Sequence, residues 1–177
     1  MRLFTAIEIP VEVKLRLTEL LEDFRPAAKL SWSPADNLHV TTKFIGEWPD
    51  TRLDVVKEAL MGVTGKAGFQ VSVRGLGWFP NSRNPRVFWA GVEAGPELAA
   101  LAKSTDEAMA AIGVPGEERE YQPHLTLARR RKPVPVEELR KRVDAVASTE
   151  FGSFAVSSFS LFLSAAGKYT RLQEYHL

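Results

Sequence analysis

Asn37-Leu38-His39-Val40-Thr41-Thr42-Lys43-Phe44-Ile45-Gly46 is the stretch on which the fold turns. Its Leu38 to Ile45 segment reads as a strand. On a strand, side chains two apart share a face, so His39 and Thr41 look one way while Val40 and Thr42 look the other. The pattern returns 85 residues later as Pro123-His124-Leu125-Thr126-Leu127-Ala128-Arg129. There His124 and Thr126 share a face, with Leu125 and Leu127 behind them. The apolar partners anchor each strand in a core and leave an imidazole and a hydroxyl on the open side.

The recurrence extends outward. The same offset sets Phe69-Gln70-Val71 over Phe154-Ala155-Val156 and Arg86 over Arg171, and an offset of 84 sets Arg2-Leu3-Phe4-Thr5-Ala6 over Arg86-Val87-Phe88-Trp89-Ala90. Val13, Leu17, Leu20, Leu21 and Phe24 mark one face of a helix over Val11 to Phe24, closed by Pro26. Asp50-Thr51 opens a second helix, weakened at its end by Gly62 and Gly65. Glu97 to Ile112 predicts a third helix, ending at Gly113, and Pro135 starts a fourth that runs to about Val146. Strands are expected over Phe69 to Phe79, Val87 to Val92, Leu125 to Ala128, Phe151 to Leu163 and Tyr169 to Tyr175. Strand, helix, motif strand, helix, strand therefore occurs twice. The implied fold is a single α+β domain over 1–177, made of two pseudo-repeated lobes about an approximate two-fold axis. Equivalent strands then meet at the centre, and the two histidines face each other.

Composition fits one domain. The chain has 177 residues, 45% hydrophobic and 25% charged, with no apolar run near the roughly 18 residues a membrane helix requires. Met1 to Pro10 reads as a first strand, because Glu8 interrupts it and no small-residue cleavage pattern follows. Cysteine is absent, which excludes disulfides, thiolate metal sites and a cysteine nucleophile. The expected compartment is the cytoplasm and the expected state a monomer. A net charge of +1 gives little whole-molecule attraction to nucleic acid, so polyanion binding falls to a local patch such as Arg129-Arg130-Arg131-Lys132.

Two converging imidazole–hydroxyl pairs supply what phosphodiester cleavage needs. One neutral ring takes a proton from water, one charged ring gives a proton to the departing oxygen, and hydroxyls hold the phosphoryl oxygens. Histidine suits both tasks because its pKa of about 6.5 allows either form near neutrality. Neither a metal, a cofactor nor a covalent intermediate is called for. His176, the third histidine, lies outside the repeated motif, and no carboxylate pattern beside it completes a zinc site.

The two quoted stretches resemble the paired H-x-T/S-x motifs of the 2H phosphoesterase superfamily. Phe79-Pro80 and Pro85-Arg86-Val87-Phe88-Trp89-Ala90-Gly91-Val92 narrow the resemblance to its RNA 2′,3′-cyclic phosphodiesterase branch, historically called 2′-5′ RNA ligases. The resemblance implies a bilobal α+β fold, two antiparallel sheets flanking a central cleft with helices outside. It implies hydrolysis of RNA or nucleotide 2′,3′-cyclic phosphates to 2′-phosphomonoesters, with 2′-5′ joining as the reverse reaction. It makes His39 the proton donor and His124 the proton acceptor, roles that the residues alone leave interchangeable. A non-catalytic module binding RNA ends or nucleotides is the alternative of another class.

Arg129 matches a family arginine that approaches the phosphate, although strict alternation from His124 puts Arg130 on the cleft side. Lys43, four past His39, falls on its face if the strand stays regular. Phe44 and Phe79 are candidates to stack on a base. Two departures from the family concern packing: Thr42 replaces an aliphatic residue, and the chain finishes Glu174-Tyr175-His176-Leu177.

Overall fold

The computed structural model describes residues 1–63 and 67–177; Gly65, expected to weaken the second helix, lies outside them. In chain order the elements are β1 (Arg2–Glu8), α1 (Val11–Phe24), β2 (Ser31–Trp32), β3 (His39–Glu47), α2 (Leu53–Met61), β4 (Phe69–Phe79), β5 (Val87–Ala94), α3 (Pro96–Ala110), β6 (His124–Arg129), α4 (Glu137–Ala145), β7 (Glu150–Val156), β8 (Ser158–Ala165) and β9 (Lys168–His176). The strands pair antiparallel in the order β7-β4-β5-β6-β3-β1-β8-β9, with β2 lying against β6. The sheet curls into a half-barrel.

The two antiparallel sheets expected from the resemblance are the two four-strand runs of this order, and they join through a single pair, Val40↔Leu125. Past that pair the strands part, and β2 takes the free edge of β6, with Ser31↔Arg129 and Trp32↔Ala128. The parting opens a cleft between β3 and β6. One large apolar cluster gathers the buried stripes of the helices, such as Leu17 and Leu21 of α1 and Leu98 and Leu101 of α3, against Val40, Phe88, Leu125 and Leu127. A separate small cluster, Phe4, Ala6 and Phe162, lies on the other face, where the histidines are.

Three details of the expected repeat are corrected by the pairing. Phe69-Gln70-Val71 and Phe154-Ala155-Val156 are hydrogen-bonded neighbours in one half of the sheet, not equivalents in opposite halves. Arg171 sits on the outer strand β9, whereas Arg86 enters β5, so these two do not correspond either. The Arg2–Ala6 alignment is off by one position. Thr41 pairs with Ala6 and Thr126 with Trp89, so Ala6 corresponds to Trp89, not Ala90. A slip of one residue exchanges the faces of a strand, which is why Phe4 faces the cleft while Phe88 is 1% exposed in the main core. The expected Phe151 to Leu163 strand is broken at Ser157 into β7 and β8, which go to opposite halves. No helix among the described residues is long and apolar enough to cross a membrane.

Candidate active site

Both motif strands carry the same irregularity. The β1–β3 register steps over Thr42, and the β5–β6 register steps over Leu127. Each is a bulge, an extra residue that leaves the ladder and turns the residues after it to the other face. From each histidine onward, the two strands share one sequence of exposure: intermediate, buried, intermediate, buried, buried, exposed. His39, Thr41 and Phe44 thus share the cleft face, as do His124, Thr126 and Arg129.

The bulge decides two residues that alternation misplaced. Arg129 pairs across from Val87, on the face of Trp89 and Thr126, and its positive charge helps lower the pKa of both imidazoles. Arg130 is occupied elsewhere, donating to Val134 O and to Asn84 Oδ1. Lys43, expected beside His39, is turned away from it. It is 3% exposed, and its Nζ lies 2.7 Å from Asp106 Oδ1 and 3.2 Å from Glu117 Oε1, and donates to Pro115 O. The hydroxyl of Thr42, buried at the bulge, meets that of Thr5 at 2.7 Å, which satisfies the polar group at an aliphatic position.

Each imidazole is fixed from behind by main chain. His39 Nδ1 donates to Asn37 O at 2.5 Å and His124 Nδ1 to Gln122 O at 2.7 Å, so both rings present Nε2 to the cleft. His39 Nε2 accepts the Thr41 hydroxyl at 2.9 Å. The approach to each motif secures the opposite strand. Ser33, ahead of His39, donates to Thr126 O, and Tyr121, ahead of His124, donates to Thr41 O. In the register set by Val40↔Leu125, His39 stands across from Thr126, and His124 lies diagonally from His39. The two rings are close enough for the charge of His124 to lower the pKa of His39.

The surroundings favour neutral rings. Burial, chiefly, lowers His39 to about 4, with the charges of His124, Arg129 and Lys14 adding to it and the Asn37 hydrogen bond opposing. His124 is lowered by burial first and by Arg129, against the Gln122 hydrogen bond. His39 packs beside Phe4 and Tyr169, ring centroids 4.8 and 5.2 Å away. Phe79 stands edge-on to His124 at 5.0 Å and beside Trp89 at 5.2 Å. Phe44 is 52% exposed. His176 of β9 pairs with Ser158 of β8, and among the described residues no three His, Cys, Asp or Glu side chains gather as a metal-binding group.

With this geometry in hand, comparison with known proteins is specific. The LigT like Phosphoesterase family profile matches residues 7–89 and 91–170. The chain belongs to that family. A relative from Archaeoglobus fulgidus named RNA 2′,3′-cyclic phosphodiesterase is 32% identical over 91% of this chain and 89% of its own length. The crystal structure of TT0787 of Thermus thermophilus superposes with a TM-score of 0.81 at 32% identity, covering 100% of this chain and 98% of that one. The Escherichia coli LigT structure in complex with 3′-AMP gives 0.75 at 27% identity, covering 99% and 97%. Both solved structures share the fold of this chain, and the Escherichia coli one holds a nucleotide.

Sequence reasoning had no access to several residues of the site. Asn37 and Gln122 act through carbonyls, which leave no side-chain signature. Ser33 and Tyr121 act across the molecule, and Phe4, Phe162 and Tyr169 needed the strand register to be placed.

Proposed function

We propose that this phosphoesterase hydrolyses RNA and nucleotide 2′,3′-cyclic phosphates to 2′-phosphomonoesters, with His39 as general acid and His124 as general base. The observation that carries the reading is the doubled motif with its doubled bulge: two imidazoles, each held at Nδ1 by the carbonyl two residues before it, turned to one cleft. Water loses a proton to His124 Nε2 as its oxygen bonds to phosphorus. The bond from phosphorus to the ribose 3′-oxygen breaks in line, and that oxygen takes the proton of His39 Nε2. Solvent then restores both rings. Thr41, Thr126 and Arg129 hold the non-bridging oxygens, where charge grows. Thr41, which donates to His39 Nε2, turns to the phosphate once that nitrogen carries a proton.

Arg129 and the hydroxyls supply the charge stabilisation, and the reaction needs no metal. Phe44 offers its exposed ring to a base of the bound strand, while Phe79 steadies His124. The name of the Archaeoglobus relative and the 3′-AMP complex of the bacterial neighbour support RNA ends and nucleotides as the substrate class. Residues 1–177 are read as one domain of two pseudo-repeated lobes, working as a cytoplasmic monomer. The test is an oligonucleotide ending in a 2′,3′-cyclic phosphate, incubated with EDTA. A 2′-phosphate product is expected, with rates lowered by roughly 10²–10⁴ in His39→Ala and in His124→Ala. Full activity in both variants would end the proposal. A 5′-hydroxyl in place of water attacks the same phosphorus, the bond to the 3′-oxygen breaks as before, and a 2′-5′ linkage forms; product analysis on paired ends measures the share of this joining.

A further inference from the structure

The motif strands β3 and β6 are joined by the single pair Val40↔Leu125, so their ladder does little to fix the spacing of the two imidazoles. His124 follows directly on residues 114–123, which form neither helix nor strand. No ladder therefore places the carbonyl of Gln122, although that carbonyl holds the His124 ring at 2.7 Å. The residue before it supplies the constraint. The Tyr121 hydroxyl donates to Thr41 O at 2.8 Å, and its ring packs on the main apolar cluster. The acceptor belongs to the residue whose own hydroxyl meets His39 Nε2 at 2.9 Å. One phenol thus connects the backbone next to each imidazole.

We propose that Tyr121 is a positioning residue which, by clasping Thr41 O, sets the placement of His124 relative to His39. The inference rests on the phosphodiesterase reading for its effect on rate, and on the fold alone for its effect on the rings. Thr41 immediately precedes the stepped-over Thr42, where a bulged strand bends, so a donor on its carbonyl pins β3 at the bend. Burial pushes the Tyr121 hydroxyl above its usual pKa, and it stays a donor through the whole range in which imidazoles titrate. Placement matters to rate because acid and base must both reach one phosphorus, and a displacement of about 1 Å can cost about 10²-fold. Lys43 provides the contrast. It ties the same segment to β3 well before Gln122, at Pro115 O and Glu117 Oε1.

The test is Tyr121→Phe, which keeps the ring and removes the donor. On an oligonucleotide ending in a 2′,3′-cyclic phosphate, kcat should fall about 10- to 100-fold with KM within about twofold. In nitrogen-15 magnetic resonance spectra of the imidazoles, wild-type His124 should show the Nδ1-protonated form. In the variant it should mix both neutral forms, while His39, held by Asn37 O, keeps its own. Lys43→Met should lower the melting temperature at least as much and keep kcat close to wild type. Wild-type kcat in Tyr121→Phe would overturn the proposal, as would a rise in KM alone, which would give the phenol a part in binding. Equal kcat losses in the two variants would trace the effect to stability and overturn it too. Wild type also carries a check of its own: the Tyr121 hydroxyl proton should exchange slowly with water, and rapid exchange would rule out the clasp whether or not the variant folds. Should wild type cleave no cyclic phosphate, the phosphodiesterase reading alone fails. The ring spectra, which need no substrate, then decide the clasp, and a His124 unchanged in Tyr121→Phe ends it.

Discussion

His39 is the residue whose chemistry its neighbours alter most. Burial drives its pKa down to about 4, so at neutral pH the free enzyme holds it uncharged, the wrong form for the proposed proton donor. A bound phosphate reverses this, because an adjacent anion favours imidazolium. Since kcat/KM reports the free enzyme and kcat the complex, the kcat/KM optimum should lie below pH 6.5 and the kcat optimum above it. Profiles with both limbs of kcat/KM above pH 7 would contradict this. Stability follows the same shift. The unfolded chain protonates this ring near 6.5 and the folded chain only near 4, so the stability contributed by neutral His39 is complete above 6.5 and is lost as pH falls towards 4. Chemical denaturation at pH 7 and pH 5 measures it. Gly77 is a second residue with little latitude. Gly77→Ala drives a Cβ into the Trp89 ring, so the indole must move against Thr126 and Phe79. A loss of about 1–3 kcal/mol is expected from overpacking, with kcat falling as well. Wild-type melting and turnover would show that the indole yields freely.

At the scale of the strand, the bulge does the most work. Because the ladder steps over Thr42 and Leu127, residues five beyond each histidine return to the cleft, and residues four beyond are buried behind it. Arg129 and Lys43 exchange the places that alternation would give them. Lys43 then ties β3 to Asp106 of α3 and to the segment from Pro115 to Glu117, which leads on to Tyr121 and Gln122. Lys43→Met should therefore act on stability, by about 1.5–3 kcal/mol for charged hydrogen bonds whose carboxylate partners keep some solvent. Arg129→Met should act on kcat/KM with little change in melting. A Lys43→Met enzyme that melts like wild type but loses phosphate affinity would return the lysine to the substrate. Much of this level was legible in advance. Period-3.6 apolar spacing located α1 from Val11 to Phe24 to the residue, and period-2 alternation placed both histidine–threonine pairs. The bulge was not legible, since Thr42 and Leu127 share no side-chain chemistry and an extra residue is defined only by the partner strand it fails to meet. Nor was the break at Ser157, where an unbroken apolar pattern hides a change of neighbours.

Across the whole molecule, the halves of the sheet do not correspond to the halves of the chain. β4, from the first half of the sequence, pairs with β5 and β7, while β8, from the second, pairs with β1. Each motif strand is also secured by the other's approach, through Ser33 and Tyr121. Reading Phe69-Gln70-Val71 as the counterpart of Phe154-Ala155-Val156 would instead have left each half of the sequence closed on itself. The exchange has a physical consequence. A chain cut in the turn between Phe79 and Val87 yields fragments 1–81 and 82–177. The first carries β1 without β8 and an unpartnered β4. The second carries β5 and β7 with the strand between them missing. Neither can close the main apolar cluster, whose members come from both sides of the cut. Each fragment alone should show no cooperative unfolding by circular dichroism, and an equimolar mixture should recover a single transition together with hydrolysis. The intact chain should unfold in one step, with tryptophan fluorescence and circular dichroism coincident. A cooperative transition in either fragment alone would mean that a half closes its own core, and that the strand exchange is not what binds the two sides of the cleft into one catalytic unit.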